Sequence, residues 1–146
     1  MKIFSSAFQN NGNIPEKYTC DGENVNPPLS INDVPINTKS LVLIMDDPDA
    51  PRGTWLHWTL WNIDPGIKEI SENSVPLGAI EGMTDSSRVG YSGPRPPSGT
   101  HRYFFKMYAL DILLNLPKGS MLEELHKAMA SHIVGTSELI GLYTRK

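Results

Sequence analysis

The sequence has little cysteine, no long apolar run and no excess of basic residues. The single cysteine in 146 residues, Cys20, excludes an internal disulfide. The unbroken apolar run Leu41–Met45 is far shorter than the roughly 20 residues of a membrane-spanning helix, so we expect no membrane insertion. The formal net charge of -3 argues against nucleic acid as a partner, because nucleic-acid-binding domains present a basic surface. The opening residues lack the apolar stretch of a signal peptide, which predicts a cytoplasmic protein.

Turn-forming residues are abundant instead. Twelve glycines and twelve prolines are too many for a helical protein and favour short strands separated by defined turns, so the fold class should be mainly β. A hydrophobic content of 39% is enough for a chain of this length to bury one core. We find no internal repeat, low-complexity tract or linker, and therefore expect residues 1–146 to form a single domain.

Hydrophobic periodicity predicts the main elements. The run Leu41–Met45 suits a strand that is covered on both faces, and residues 54–63 and 102–111 alternate as half-buried strands do. Ser120 opens a capping box for a helix whose apolar stripe ends before Gly135, and Ser137–Thr144 is a closing strand. The long stretch 64–99 is rich in proline and glycine, and ordered loops of that length usually carry function.

Unusual polar residues occur in three separate segments. Asp47 and Asp49 follow the buried run, His57 lies within the second strand, and His101 and Tyr103 open the third. We expect them to converge on one pocket, walled by Pro94 and an aromatic side chain such as Trp55 or Trp58. A carboxylate that fixes an imidazole leaves the other ring nitrogen, together with the tyrosine hydroxyl, as donors to a ligand. Such a pocket would bind oxyanions.

Each of these residues also has a purely structural interpretation. Aspartate before proline often satisfies its own turn, a histidine on an apolar strand face is often a satisfied core residue, and tyrosine is ordinary core with a polar tip. The competing functional hypothesis is a hydrolase, either metal-dependent through two aspartates and two histidines or nucleophilic through Ser92. Neither an H-E-x-x-H nor a G-x-S-x-G motif is present, and Cys20 beside Asp21 is a poor nucleophile. We therefore favour a non-catalytic binding protein with no metal and no cofactor.

Several motifs occur together in one order: Tyr18-Thr19-Cys20-Asp21-Gly22, Asp47-Pro48-Asp49-Ala50-Pro51, His57-Trp58, Gly93-Pro94 and Gly99-Thr100-His101-Arg102-Tyr103. In this the chain resembles the bacterial and archaeal branch of the phosphatidylethanolamine-binding protein family, also called Raf-kinase-inhibitor-like proteins. The resemblance implies an antiparallel β-sandwich with a few peripheral helices, one of them near the C-terminus.

The resemblance also implies a ligand pocket and partners. It assigns six residues to the pocket, namely Asp47, Asp49, His57, Pro94, His101 and Tyr103. The implied ligand is a phosphomonoester, a phospholipid head group or a phosphorylated side chain, and the implied partners are a kinase or protease and a second copy in a homodimer. It further makes Ala50–Pro51 a candidate cis peptide bond.

The chain departs from the family pattern around this pocket. Thr84-Asp85-Ser86-Ser87-Arg88 stands where many bacterial members carry an Asn-Asp-aromatic-Gly segment, Ser92 replaces a frequent glycine, and Arg95 replaces a frequent small residue or cysteine. Arg95 adds a planar guanidinium with several N–H donors beside the expected site, which favours a more highly charged ligand. The alternative is that Arg95 is simply solvated, as an arginine in a proline-rich loop often is.

Overall fold

A computed structural model describes residues 1–145. Over these residues the fold is mainly β, as predicted, with one α-helix, α1, at Leu122–Met129 and a 3₁₀ turn at Glu16–Tyr18. The strands are β1 (Lys2–Phe4), β2 (Gly12–Asn13), β3 (Leu29–Asn32), β4 (Ser40–Asp47), β5 (Trp55–Ile63), β6 (Glu69–Ile70), β7 (Ile80–Glu81), β8 (Gly99–Leu110) and β9 (Ile133–Arg145). No helix in this part of the chain is both long and apolar enough to cross a membrane.

Two sheets make up the fold. The larger sheet has the strand order β2-β9-β8-β4-β5-β7, and the smaller one has the order β1-β3-β6. All pairings are antiparallel except the short parallel contact of β2 with β9. Apolar residues of the two sheets share one core: Ile3, Leu29, Ile31 and Ile70 from the smaller sheet, and Leu43, Met45, Trp58 and Phe105 from the larger sheet. The predicted two-sheet arrangement is therefore confirmed.

Strand β4 is buried along its whole length, which explains its unbroken apolar sequence. Leu43 and Met45 face the core between the sheets. Val42 and Ile44 belong to a second apolar cluster that contains Leu125 and Met129 of α1. The larger sheet is thus packed on both faces, and α1 is the predicted helix near the C-terminus.

The ends of α1 differ from the sequence prediction. The helix is capped at Met121, whose N–H donates to Glu124 Oε1 at 3.0 Å, whereas the Ser120 hydroxyl donates to the Pro117 carbonyl at 2.7 Å. The prediction of Ser120 as the cap was wrong because the helix begins one residue later, at Leu122, so that Met121 takes the capping position. The stripe also ends sooner than predicted, at Met129, since Ser131 has a positive φ of 69° that no helix accommodates. The closing strand correspondingly starts earlier, at Ile133.

The prediction of a cis peptide bond at Ala50–Pro51 was also wrong. No peptide bond among residues 1–145 is cis. The turn closes with a trans bond: the Gly53 N–H donates to the Ala50 carbonyl at 3.1 Å, and Gly53 takes a φ of 108°. Since glycine supplies the positive φ without strain, the trans form, which is favoured by about 0.5–1 kcal/mol, is sufficient.

Candidate functional site

A cavity of about 390 Å³ opens where three strands of the larger sheet meet. Antiparallel pairing brings the end of β4 beside the starts of both β5 and β8, because Asp47 pairs with Trp55 and Asp46 with Phe104. Asp47, His57 and His101 line this cavity, together with residues from the loops that follow Tyr18, Asp47 and Gly82. Side chains that are far apart in sequence thus share one small space.

Asp47 and His101 form a buried pair at the base of the cavity. His101 Nδ1 lies 2.7 Å from Asp47 Oδ2, and the two side chains are only 9% and 5% exposed. The other carboxylate oxygen of Asp47 accepts the N–H of Asp49 at 2.8 Å. Because a carboxylate can only accept, His101 donates through Nδ1, which leaves its Nε2 for a ligand.

His57 is oriented by the backbone opposite. Its Nδ1 donates to the Ser92 carbonyl at 2.6 Å, and its ring meets Tyr103 edge-on with centroids 5.3 Å apart. Burial lowers the pKa of His57 below its ordinary value, against the raising effects of the Ser92 carbonyl and Asp47. The ring is therefore neutral near pH 7.

These hydrogen bonds determine whether the second ring nitrogen of each imidazole is a donor or an acceptor. With Nδ1 engaged as a donor in both rings, the Nε2 atom of a neutral ring is an acceptor and becomes a donor only when the ring is protonated. The second ring nitrogens, expected from the sequence to be donors, can donate only in the imidazolium form.

Tyr103 supplies a hydroxyl that has no partner. The residue is fully buried, and its Oη makes no hydrogen bond of good geometry with any of residues 1–145, although the Asp47 carboxylate and the Arg95 backbone lie near it. Burial raises the pKa of Tyr103 strongly, and the nearby Asp47 carboxylate raises it further, so the hydroxyl stays protonated. An unpaired buried hydroxyl costs free energy, which a ligand atom within its reach would recover.

Asp49 and Pro94 take other positions. Asp49 accepts two hydrogen bonds from the Arg102 guanidinium, at 2.8 and 2.9 Å, and these lower the pKa of Asp49 to about 2. Pro94 is buried, and its carbonyl accepts the Cys20 N–H at 3.1 Å. Neither residue is part of the cavity lining, and nor is Tyr103, whose ring contacts His57 of the lining. Trp55 does line the cavity, whereas Trp58 is buried in the core and donates to Glu81.

Residues 91–94, of which Ser92 and Gly93 form a wall of the cavity, are held by hydrogen bonds along the whole segment. The Tyr91 hydroxyl donates to the Tyr18 carbonyl at 2.7 Å, and the Gly93 N–H donates to Asn24 Oδ1 at 2.8 Å. The Ser92 N–H donates to the His57 carbonyl at 3.1 Å. A Cβ on Gly93 would collide with the backbone of Tyr18, so this close approach requires glycine.

The predicted ligand set contains only three of the lining residues, and among those it omitted are Asn24, Ser86 and Arg88. Ser86 and Arg88 lie in the segment that departs from the family pattern, and this was the available signal for them. Asn24 gave no signal, because its side chain acts through the backbone of a distant loop.

The serine, cysteine and metal-ligating side chains that the hydrolase hypothesis requires do not have the arrangement that such an enzyme needs. The Ser92 hydroxyl lies 3.0 Å from that of Ser86, with no imidazole as its base. Burial and the neighbouring Asp21 raise the pKa of the Cys20 thiol, which disfavours the nucleophilic thiolate. Among residues 1–145, no three His, Cys, Asp or Glu side chains are grouped closely enough to hold a metal ion.

Known proteins resemble this chain along its length. A sequence model of the family described as "Phosphatidylethanolamine-binding protein" matches residues 4–144. A UPF0098 protein of Methanothermobacter thermautotrophicus is 49% identical, over 99% of this chain and 99% of its own. A UPF0098 protein of Pyrococcus abyssi is 52% identical, over 97% of this chain and 84% of its own.

Two solved structures are similar in fold. The first is described as a putative phosphatidylethanolamine-binding protein homolog, CT736, from Chlamydia trachomatis. It has a TM-score of 0.96 and 41% identity, covering 99% of this chain and 97% of its own. The second is E. coli YbcL, described as a member of the mammalian PEBP family. It has a TM-score of 0.92 and 27% identity, covering 99% of this chain and 98% of its own.

Proposed function

Since the chain belongs to the phosphatidylethanolamine-binding protein family, we propose that it is a non-catalytic binding protein whose cavity holds the phosphate group of a phosphomonoester. The observation that supports this most is the buried Asp47–His101 pair beside a tyrosine hydroxyl without a partner. The pair presents one polar nitrogen to the cavity, and Tyr103 supplies a donor close behind it.

The ligand contributes the proton that the site requires. A phosphomonoester has a second pKa near 6, so its monoanion still carries a P–OH group at mildly acid pH. That group can donate to the Nε2 atom of a neutral imidazole, while the other phosphate oxygens accept from Tyr103. Alternatively, His101 takes up a proton and donates as an imidazolium, whose charge Asp47 balances. In both forms one proton is shared between ligand and imidazole.

Calorimetric titration with phosphoethanolamine tests this function. We expect His101→Ala to weaken binding about ten- to one-hundred-fold, because it removes a charge-assisted hydrogen bond. His132→Ala is the matched control: His132 also bonds an aspartate, Asp111, but lies beyond the far end of β8 from the cavity. Equal affinities of the wild type and His101→Ala would place any bound phosphate elsewhere. Release of inorganic phosphate during the titration would contradict a non-catalytic role.

A further inference from the structure

Two arginines of the cavity lining lack an acidic partner. Arg88 and Arg95 both line the cavity and are both exposed. Neither forms an ion pair with any of residues 1–145, whereas Arg102 and Arg145 pair with Asp49 and Asp21. Two permanent cations therefore line one small cavity, and neither of them is paired with a carboxylate of the described residues.

The charge of the cavity is opposite to that of the chain. Its ionised lining side chains are two arginines and one aspartate, Asp47, so their formal sum is +2 − 1 = +1 with both histidines neutral. The whole chain carries -3. Asp47 is itself engaged by His101 and Asp49, which leaves the arginine charge free for a ligand.

The backbone holds both arginines in place. Arg95 lies between Pro94 and Pro96, which are both buried. The Arg88 carbonyl accepts from both the N–H and the hydroxyl of Thr84, each at 2.9 Å. Fixed backbones keep the two side chains at the cavity, and a guanidinium suits the planar, two-point contact that carboxylates and phosphates offer.

We propose that Arg88 and Arg95 bind a second anionic group of the ligand, so that the site prefers small phosphomonoesters that also carry a carboxylate or a further phosphate. This rests on the proposed function, in which the first phosphate lies deeper, at His101 and Tyr103. A volume of about 390 Å³ lies near the lower end of the usual range for ligand pockets, which suits a compact molecule with two charged groups.

O-phosphoserine and O-phosphoethanolamine form a matched pair of probes, because they differ only in the carboxylate of phosphoserine. We expect the wild type to bind phosphoserine about three- to tenfold more tightly, the range for one charge-assisted contact at a partly exposed site. The double variant Arg88→Gln/Arg95→Gln should lose this preference and bind the two probes with equal affinity, because any loss of general attraction for the phosphate affects both probes alike. Each single variant should lose part of the preference.

Arg52→Gln provides the control, since Arg52 is exposed and outside both the cavity lining and the ion pairs of the described chain. It should keep the full preference. Equal affinity of the wild type for the two probes would overturn the inference about Arg88 and Arg95. A preference for phosphoserine that survives in the double variant would also overturn it. Neither result would contradict the phosphate site. Loss of the preference in Arg52→Gln as well would reduce it to an effect of net charge. Failure of the wild type to bind either probe would overturn both proposals.

Discussion

The chain contains two histidine–aspartate pairs of nearly the same length, at opposite ends of β8. Asp47 and His101 are separated by 2.7 Å, and Asp111 and His132 by 2.8 Å. His101 and Asp47 are 9% and 5% exposed, whereas His132 and Asp111 are 37% and 47% exposed. The first pair lies at the cavity and near the Tyr103 hydroxyl. Hydrogen-bond geometry alone therefore does not mark a site, because burial is what gives the contact its energy and leaves neighbouring groups in need of a ligand.

The two pairs should differ most in how much stability the protein loses when the carboxylate of each pair is removed. We expect Asp47→Ala to lower the free energy of unfolding by about 2–3 kcal/mol, because it leaves the buried His101 Nδ1 and the Asp49 N–H unsatisfied. Asp111→Ala should cost at most about 1 kcal/mol, since water replaces an exposed partner. Urea denaturation measures both, and similar losses for the two variants would remove the distinction.

Beside the buried pair, Tyr103→Phe should weaken ligand binding without lowering the stability of the fold. It removes a hydroxyl without a partner, so the free energy of unfolding should stay equal or rise by up to about 1 kcal/mol, while phosphoethanolamine binding weakens by about 1 kcal/mol. Tyr91→Phe is the control, because its hydroxyl donates to the Tyr18 carbonyl and its loss should destabilise the fold. A stability loss for Tyr103→Phe with unchanged affinity would contradict the role of this hydroxyl in binding.

The affinity for phosphoethanolamine should pass through a shallow maximum near neutral or slightly acid pH. A bound anion raises the pKa of the imidazole it contacts, so that contribution is complete below the free-state pKa and is lost as pH rises through the bound-state value. The phosphate loses charge below its second pKa near 6, which weakens binding on the acid side. Titration across this range should give the same profile for His132→Ala, and a flat profile for the wild type would rule out the shared proton.

A smaller effect should appear in the pH dependence of folding without ligand. The folded state depresses the pKa of His57 from the ordinary 6.5, so it binds fewer protons than the unfolded state between the two values. The stabilising contribution is present above 6.5 and declines as pH falls through that window. His57→Asn preserves a donor for the Ser92 carbonyl but cannot titrate, so its unfolding free energy should vary less with pH than that of His132→Asn. Parallel curves for the two variants would exclude His57 as the source.

Much of the fold could be predicted, because its signals are local. Glycine and proline counts indicated a β fold, and alternation along β8 placed His101 with its buried neighbours. The alternation predicted for residues 54–63 was wrong, because β5 lies inside the larger sheet and is buried on both faces. The cap of α1 was missed by one residue, since Ser120 belongs to the preceding turn, where its N–H and its hydroxyl both donate to the Pro117 carbonyl.

The site could be predicted only in part. Asp47, His57 and His101 do line one cavity, but the sequence does not show that Arg102, on a neighbouring strand, engages Asp49. Partner choice across strands depends on register and side-chain direction, which periodicity does not reveal. A kinase or protease partner, a homodimer and a cytoplasmic location stay predictions.

The hydrogen bonds between residues 91–94 and the loop after Tyr18 should affect the rate of ligand binding. A wall held by the Tyr91, Ser92 and Gly93 contacts has no slow opening step of its own, so ligand capture should depend on diffusion and the shedding of water. Stopped-flow association should then be a single phase whose rate rises linearly with ligand concentration, and affinity differences among ligands should lie in how long each one stays.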